Sequence, residues 1–270
     1  MVQGEVVVHG EGVMHVQGGT LHFTPSGLMV TESWSHWNEV AFEAASDSTI
    51  QVLSKLLTTL NECQLGNIHW QHQGEVDSPS LFKLTSNEWS HGRCSVILGQ
   101  ARFTNNRFDH AFVLADRINP PSLFVGNQFE STWHETTPSL TIQNTPEAIW
   151  LEDNEWQGGN GLYVDNSELV ASCNAWEDCQ SAVELKGNST LCMTASCGGG
   201  SNRWLNNEVH VVFDEAPLPT VDFGQNLFGP ALSAVFSGET SYPYPTWVIQ
   251  GSSWHVGLLE NPWFSPILSN

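Results

Sequence analysis

The chain has 270 residues, with 8 Lys plus Arg against 29 Asp plus Glu, for a formal charge of −21. That balance excludes a nucleic-acid partner, because no basic stripe exists to displace counterions from phosphates, and it disfavours anionic membrane surfaces for the same reason. Nowhere do apolar residues run to the roughly 20 that span a bilayer, so no transmembrane segment is expected.

In chain order, residues 1 to 32 alternate on a two-residue period through Val6 and Val8, Met14 and Val16, Leu21 and Phe23, and Leu28 and Val30, punctuated by glycines. The pattern predicts short strands joined by tight turns. The opening MVQGEVVVHGEG is acidic and breaks its apolar run after three residues, unlike a signal peptide. The expectation is a chain that follows a removed leader, or a piece of a longer protein. From Ser46 to Asn61, the positions of Ile50, Leu53, Leu57 and Leu60 fit helical spacing behind a Ser46 or Asp47 cap. A helix is expected there, with a pair of strands as the competing reading.

A phrase then recurs: two alternating apolar residues, a polar step, an Asn, one variable residue and a large aromatic. Phe82, Leu84, Asn87 and Trp89 form one copy, and Phe103, Asn106 and Phe108 belong to the next. Phe124, Asn127 and Phe129 follow with Ser122 in the first slot; then come Ile149, Leu151, Asn154 and Trp156. Leu169, Ala171, Asn174 and Trp176 give another, and Val221, Phe223, Asn226 and Phe228 repeat it near the C-terminus. The marker series reads Asn38, Asn67, Asn87, Asn106, Asn127, Asn154, Asn174, Asn202 or Asn207, and Asn226, mostly at intervals of 19 to 21 residues. Three short strands and three turns fill about 20 residues, each strand rising about 3.3 Å per residue. Such units stack as a solenoid, since none buries its apolar face alone. At a repeated bend, Asn tolerates the left-handed backbone, and its amide donates and accepts together, so a ladder of Asn side chains is expected. Longer intervals mark insertions at 130–148 and 186–201, where function concentrates on a rigid scaffold.

Alternation, Asn turn and coil length together resemble the right-handed parallel β-helix proteins of the pectate-lyase-like superfamily, over roughly residues 60 to 230. The resemblance is to an architecture whose members include polysaccharide lyases and hydrolases, phage tailspikes and passenger domains of surface-exposed proteins. It implies an all-β fold. N-terminal strands with a capping helix are expected over 1–60, coils over 61–232, and a cap or docking segment over 233–270.

On the Asn register, the column four residues after each marker reads Gln71, His91, His110, Ser131, Gly158 and Asp178, which places His91 and His110 one coil apart. Lys83 and Arg102 likewise become neighbours. Arg93, Arg102, Arg107 and Arg117 fall within 25 positions of an acidic chain, with Asp109 and Asp116 among them. A catalytic site would therefore use His91, Arg93, Asp109, His110, Asp116 and Arg117. A sugar hydrolase needs two carboxylates about 5 to 9 Å apart, and Asp109 with Asp116 or Glu88 is the available choice. Ser90-His91-Gly92 matches an element of the polygalacturonase family, but the Asn-Thr-Asp element and paired Asp of that family are missing. The competing reading has Arg and Asp pairing across coils while the His residues decorate a turn.

Six Cys suggest an oxidising compartment and local disulfides, Cys173 with Cys179 and Cys192 with Cys197, or Cys173 with Cys192 across coils. Zinc-ligand spacing and EF-hand loops are absent from the sequence. No cofactor is expected; calcium is the one metal the acidity would admit. Asn188-Ser189-Thr190 is a glycosylation sequon. Of the less committed tryptophans (Trp34, Trp37, Trp70, Trp133, Trp247, Trp254 and Trp263), most are expected in the core or a cap. The last forty residues lose the Asn register among prolines and should end the stack, as a cap or as a dock for another subunit. The expectation is an extracellular or cell-surface β-helix with a structural or adhesive role, whose partners are itself through the rod ends or a polysaccharide surface. The alternative is a polysaccharide-acting lyase or hydrolase working on the His91 to Arg117 face.

Overall fold

The computed structural model of the chain describes residues 5–8, 12–23, 28–44, 50–75, 80–193, 199–214, 220–222, 226–228 and 234–238. Two compact units divide it, Met1–Glu130 and Ser131–Asn270. Each is an all-β, right-handed parallel β-helix, a solenoid of repeating strand coils.

Three walls make each coil of the N-terminal unit. The first stacks Val13–Gln17, Trp34–Asn38, Thr58–Asn61, Leu81–Thr85, Gln100–Thr104 and Leu123–Val125 in parallel register. The second stacks Thr20–Phe23 and Ala41–Ala44 against the start of Gln64–Gln73. The third stacks Glu5–Val8, Leu28–Thr31 and Ile50–Ser54 against the end of that same strand. From there the second and third walls are continuous, through Glu88–Ile97 and Arg107–Asp116. Each long strand bends once, at Asn67, His91 and His110, whose φ values are 53, 60 and 51°.

Why the repeat has this composition follows from the interior. Phe82, Leu84, Trp89, Phe103, Phe108, Phe124 and Phe129 are all buried, on alternating positions of their strands. Trp89, Phe108 and Phe129 stack on one another at centroid distances of 6.1 and 5.1 Å. The markers do form a ladder. Asn87 Nδ2 donates to Asn106 Oδ1 at 2.9 Å, and Asn106 Nδ2 donates to Asn127 Oδ1 at 2.9 Å. The second Nδ2 protons go to the carbonyls of Leu60 and Leu84. Backbone N–H groups of Asn87 and Asn106 donate to the same Oδ1 atoms, both at 3.0 Å. Every hydrogen-bonding site of Asn106's amide is thus used, which makes its burial tolerable.

The C-terminal unit repeats the plan. Ile149–Glu152, Glu168–Ser172, Thr190–Cys192 and Thr220–Asp222 form one parallel wall. Glu155–Gln157, Ala175–Glu177, Arg203–Leu205 and Leu227–Phe228 form another. Pro138–Gln143, Asn160–Asp165, Ser181–Lys186, Val209–Asp214 and Ala234–Gly238 form the third. Its ladder runs Asn154, Asn174, Asn202 and Asn226, with amide contacts of 3.0, 2.9 and 2.8 Å. Trp156, Trp176 and Trp204 stack at 4.9 and 4.8 Å, their planes within 8 and 12° of parallel.

Several expectations are corrected. Ile50–Ser54 and Thr58–Asn61 are strands, so the helix reading of Ser46 to Asn61 fails there and the strand pair holds; residues 45–49 lie outside the described set. In Leu28–Thr31 the inward residues are Met29 and Thr31, one step out of phase with the expected Leu28 and Val30. Asn38 and Asn67 do not occupy the ladder. Cys63 stands there instead, its N–H donating to Asn87 Oδ1 at 2.8 Å. Asn38 joins a half-exposed outer ladder with Gln17 and Asn61. The choice between Asn202 and Asn207 falls to Asn202; Asn207 serves a separate turn, accepting from the N–H of Cys179 at 2.8 Å. Cys173 and Cys179 are free thiols, the first exposed and the second buried, so neither proposed bridge of Cys173 forms. Cys197 lies outside the described residues, as do Phe223 and 239–270 with Trp247, Trp254 and Trp263. Trp37 and Trp70 are core residues, while Trp34 and Trp133 are exposed.

Candidate functional site: an outer-face groove on the N-terminal unit

The second wall of the N-terminal unit carries a groove of about 360 Å³ on its outer face, within the size range of ligand sites. Two columns of side chains shape it. One runs Ala41, Gln64, Glu88 and Arg107; the other runs Glu43, Gly66, Ser90 and Asp109. The depression exists because the second column passes through two small residues between two carboxylates. Gly66 is not held by backbone strain: a Cβ there would meet its neighbours at 3.8 and 3.9 Å, ordinary contact. Its hydrogen side chain is therefore a matter of space in the groove rather than of folding.

Arg107 is engaged from the next coil. Glu130 accepts from Arg107 Nη2 at 2.8 Å, and this hydrogen bond, followed by the Glu130 charge, raises the guanidinium's pKa. Glu88 and Asp109 sit diagonally across adjacent strands on one face. Glu43 lies 3.1 Å from His22 Nδ1.

The six residues singled out from the sequence occupy different places. Asp109 lines the groove. His91 and His110 are neighbours at the bend, ring centroids 5.3 Å apart, and His110 Nε2 lies 3.7 Å from Asp109 Oδ1. Arg93 is exposed beyond the bend, in register with His69 and Phe112. His69's pKa is lowered, first by partial burial and then by Arg93. Asp116 and Arg117 form an ion pair of 2.9 Å at the far end of the strand, away from Asp109. Lys83 and Arg102 stand in register on the first wall, as expected. The column beside His91 begins with Asn67 rather than Gln71, since Ser90 and Gly92 register with Gly66 and Ile68.

Backbone geometry accounts for Ser90-His91-Gly92. His91 takes the left-handed bend that Asn67 and His110 also take, a conformation Asn and His adopt more readily than most residues. Gly92 has φ 99°, and a Cβ on it would lie 2.4 Å from the Ile68 carbonyl oxygen; only Gly fits. Among the described residues, no group of three or more His, Cys, Asp or Glu is placed to hold a metal ion, and no helix is long and apolar enough to cross a membrane. Sequence reasoning placed Arg107 in the arginine-rich patch but missed Glu43, Gln64 and Gly66 as lining residues. Reading Cys63 rather than Asn67 as the marker of its coil would have aligned Gly66 with Ser90 and exposed the gap.

No protein-family model, curated protein or solved structure matches the chain.

Proposed function

We propose that the chain is a rigid extracellular β-helix with a structural or adhesive role, presenting its outer faces to a polysaccharide surface or to further copies of itself. The observation that carries this reading is the division of labour between interior and exterior. Inside, amide ladders and ring stacks recur from coil to coil; outside, the charged groups are dispersed, with Arg107 tied to Glu130 and Arg117 to Asp116. That is the layout of a scaffold rather than of convergent catalytic groups. The groove favours one second reading. Glu88 and Asp109, diagonal neighbours beside Arg107, are the carboxylate pair a polysaccharide hydrolase would use.

A depolymerisation and reducing-end screen over acidic and neutral polysaccharides, with and without calcium, separates the two. The scaffold reading expects no cleavage, with retention of the folded chain on an insoluble glycan or concentration-dependent self-association in sedimentation. Cleavage that disappears in a folded Asp109→Ala variant would sink it and install the hydrolase.

A further inference from the structure

The first wall of the N-terminal unit holds a second pair of imidazoles, remote in register from the groove and independent of the function proposed above. His15 on Val13–Gln17 and His36 on Trp34–Asn38 are exact register partners on adjacent parallel strands, 21 residues apart in sequence. Their rings face each other at a centroid distance of 5.0 Å, with planes 16° apart. His15 is exposed and His36 half-buried. We infer that His15 and His36 form a two-imidazole binding site for a divalent transition-metal ion, zinc or copper(II), completed by water.

Distance carries the argument. An ion about 2.1 Å from one nitrogen of each ring puts the two ring centroids roughly 5 to 6 Å apart, the separation already present. The near-parallel planes need only a turn about the last side-chain torsion, which for His is broad and soft. Both strands are hydrogen-bonded into the wall, so the chelate is held in place before the ion arrives and little ordering is lost on binding.

Imidazole is a ligand shared by zinc and copper, with copper(II) bound more tightly in the usual order. The flanking polar residues do not compete, because Asn38 Nδ2 is engaged with Gln17 Oε1 at 3.0 Å. His91 and His110 make a poorer pair: their rings are tilted by 44° and His110 Nε2 faces Asp109.

The test is calorimetric titration of the full chain, freed of metal by chelator, with zinc and with copper(II) at pH 7.5. His15→Ala, His36→Ala and the double variant His91→Ala/His110→Ala are titrated beside it. Even partners of metal ligands are worth ten- to a hundredfold in affinity, so each of the first two substitutions should weaken the site at least about tenfold, and the double variant should leave it unchanged. His36→Thr, which copies Thr59 at the same point of the next coil, guards against a folding artefact. Imidazole NMR signals provide a second readout, with His15 and His36 expected to respond first. Binding that survives both single substitutions, signals that move first at His22, His69 or His134, or no binding at millimolar metal would each overturn the inference.

Discussion

Asn106 uses its amide four times: two donors reach Leu84 O and Asn127 Oδ1, and Oδ1 accepts from the N–H and the amide of Asn87. Each buried group stripped of its partner costs about 1–3 kcal/mol. Asn106→Ala is therefore expected to lose on the order of 3–5 kcal/mol in chemical denaturation. Asn38→Ala, taken from the half-exposed outer ladder, should lose no more than about 1 kcal/mol. His72 offers a pH-dependent test. It is fully buried, with Nδ1 2.9 Å from Ser54 Oγ and Nε2 without a partner, and burial lowers its pKa to about 3. The unfolded chain, with a value near 6.5, binds the proton more readily between those limits. Stability is then full above about pH 6.5 and falls as pH drops towards 3, by up to about 1.4 kcal/mol per unit from this residue. The lowered values of His36 and His69 act in the same direction. His72→Leu should flatten the acid limb of a stability–pH curve; an unchanged slope would mean that carboxylates, not this imidazole, set it.

Among elements, the Trp156–Trp176–Trp204 stack concentrates the packing of the C-terminal unit, with Trp176 contacting a ring on either side. Trp176→Ala removes a wholly buried indole and should cost about 3–5 kcal/mol, read as a lowered denaturation midpoint; a loss below 1 kcal/mol would show that the neighbouring rings close the gap. Trp156 and Trp176 were legible in the sequence because a large aromatic returns two positions after the Asn of those copies; Trp204 was not, because the marker of its coil stood open between Asn202 and Asn207. The strands Ile50–Ser54 and Thr58–Asn61 were not, for a physical reason. Their inward positions include Ser54 and Thr58, polar residues made acceptable inside by bonds to His72, Trp70 and Ser35. With polar residues turned in and Leu53 and Leu57 half-buried, the alternation disappears and the leucines imitate a helical stripe. The groove was half visible: Asp109 and Glu88 stood out as carboxylates, whereas Gly66 acts through a missing side chain, and the absence of atoms leaves no signal until the coils are aligned.

For the whole chain, the formal charge of −21 is the dominant long-range term. Like charges raise the free energy of any compact state, and salt shortens their reach from about 30 Å at 0.01 M to about 8 Å at 0.15 M. Raising sodium chloride across that interval should increase the melting temperature by a few degrees, roughly 1–2 kcal/mol. A fall would mean that ion pairs such as Lys55–Glu32 and Arg107–Glu130 outweigh the repulsion. Against that background, the ladders have a sense of direction. In each buried Asn–Asn rung described above the earlier Asn donates and the later one accepts, so each of these coils offers its successor the same interface that it received from its predecessor. A segment such as residues 87–105 can accordingly be copied in tandem and still find a matching neighbour above and below. Length in such a chain is a heritable variable that changes in whole coils, by duplication or deletion, while the grammar of the interior stays the same.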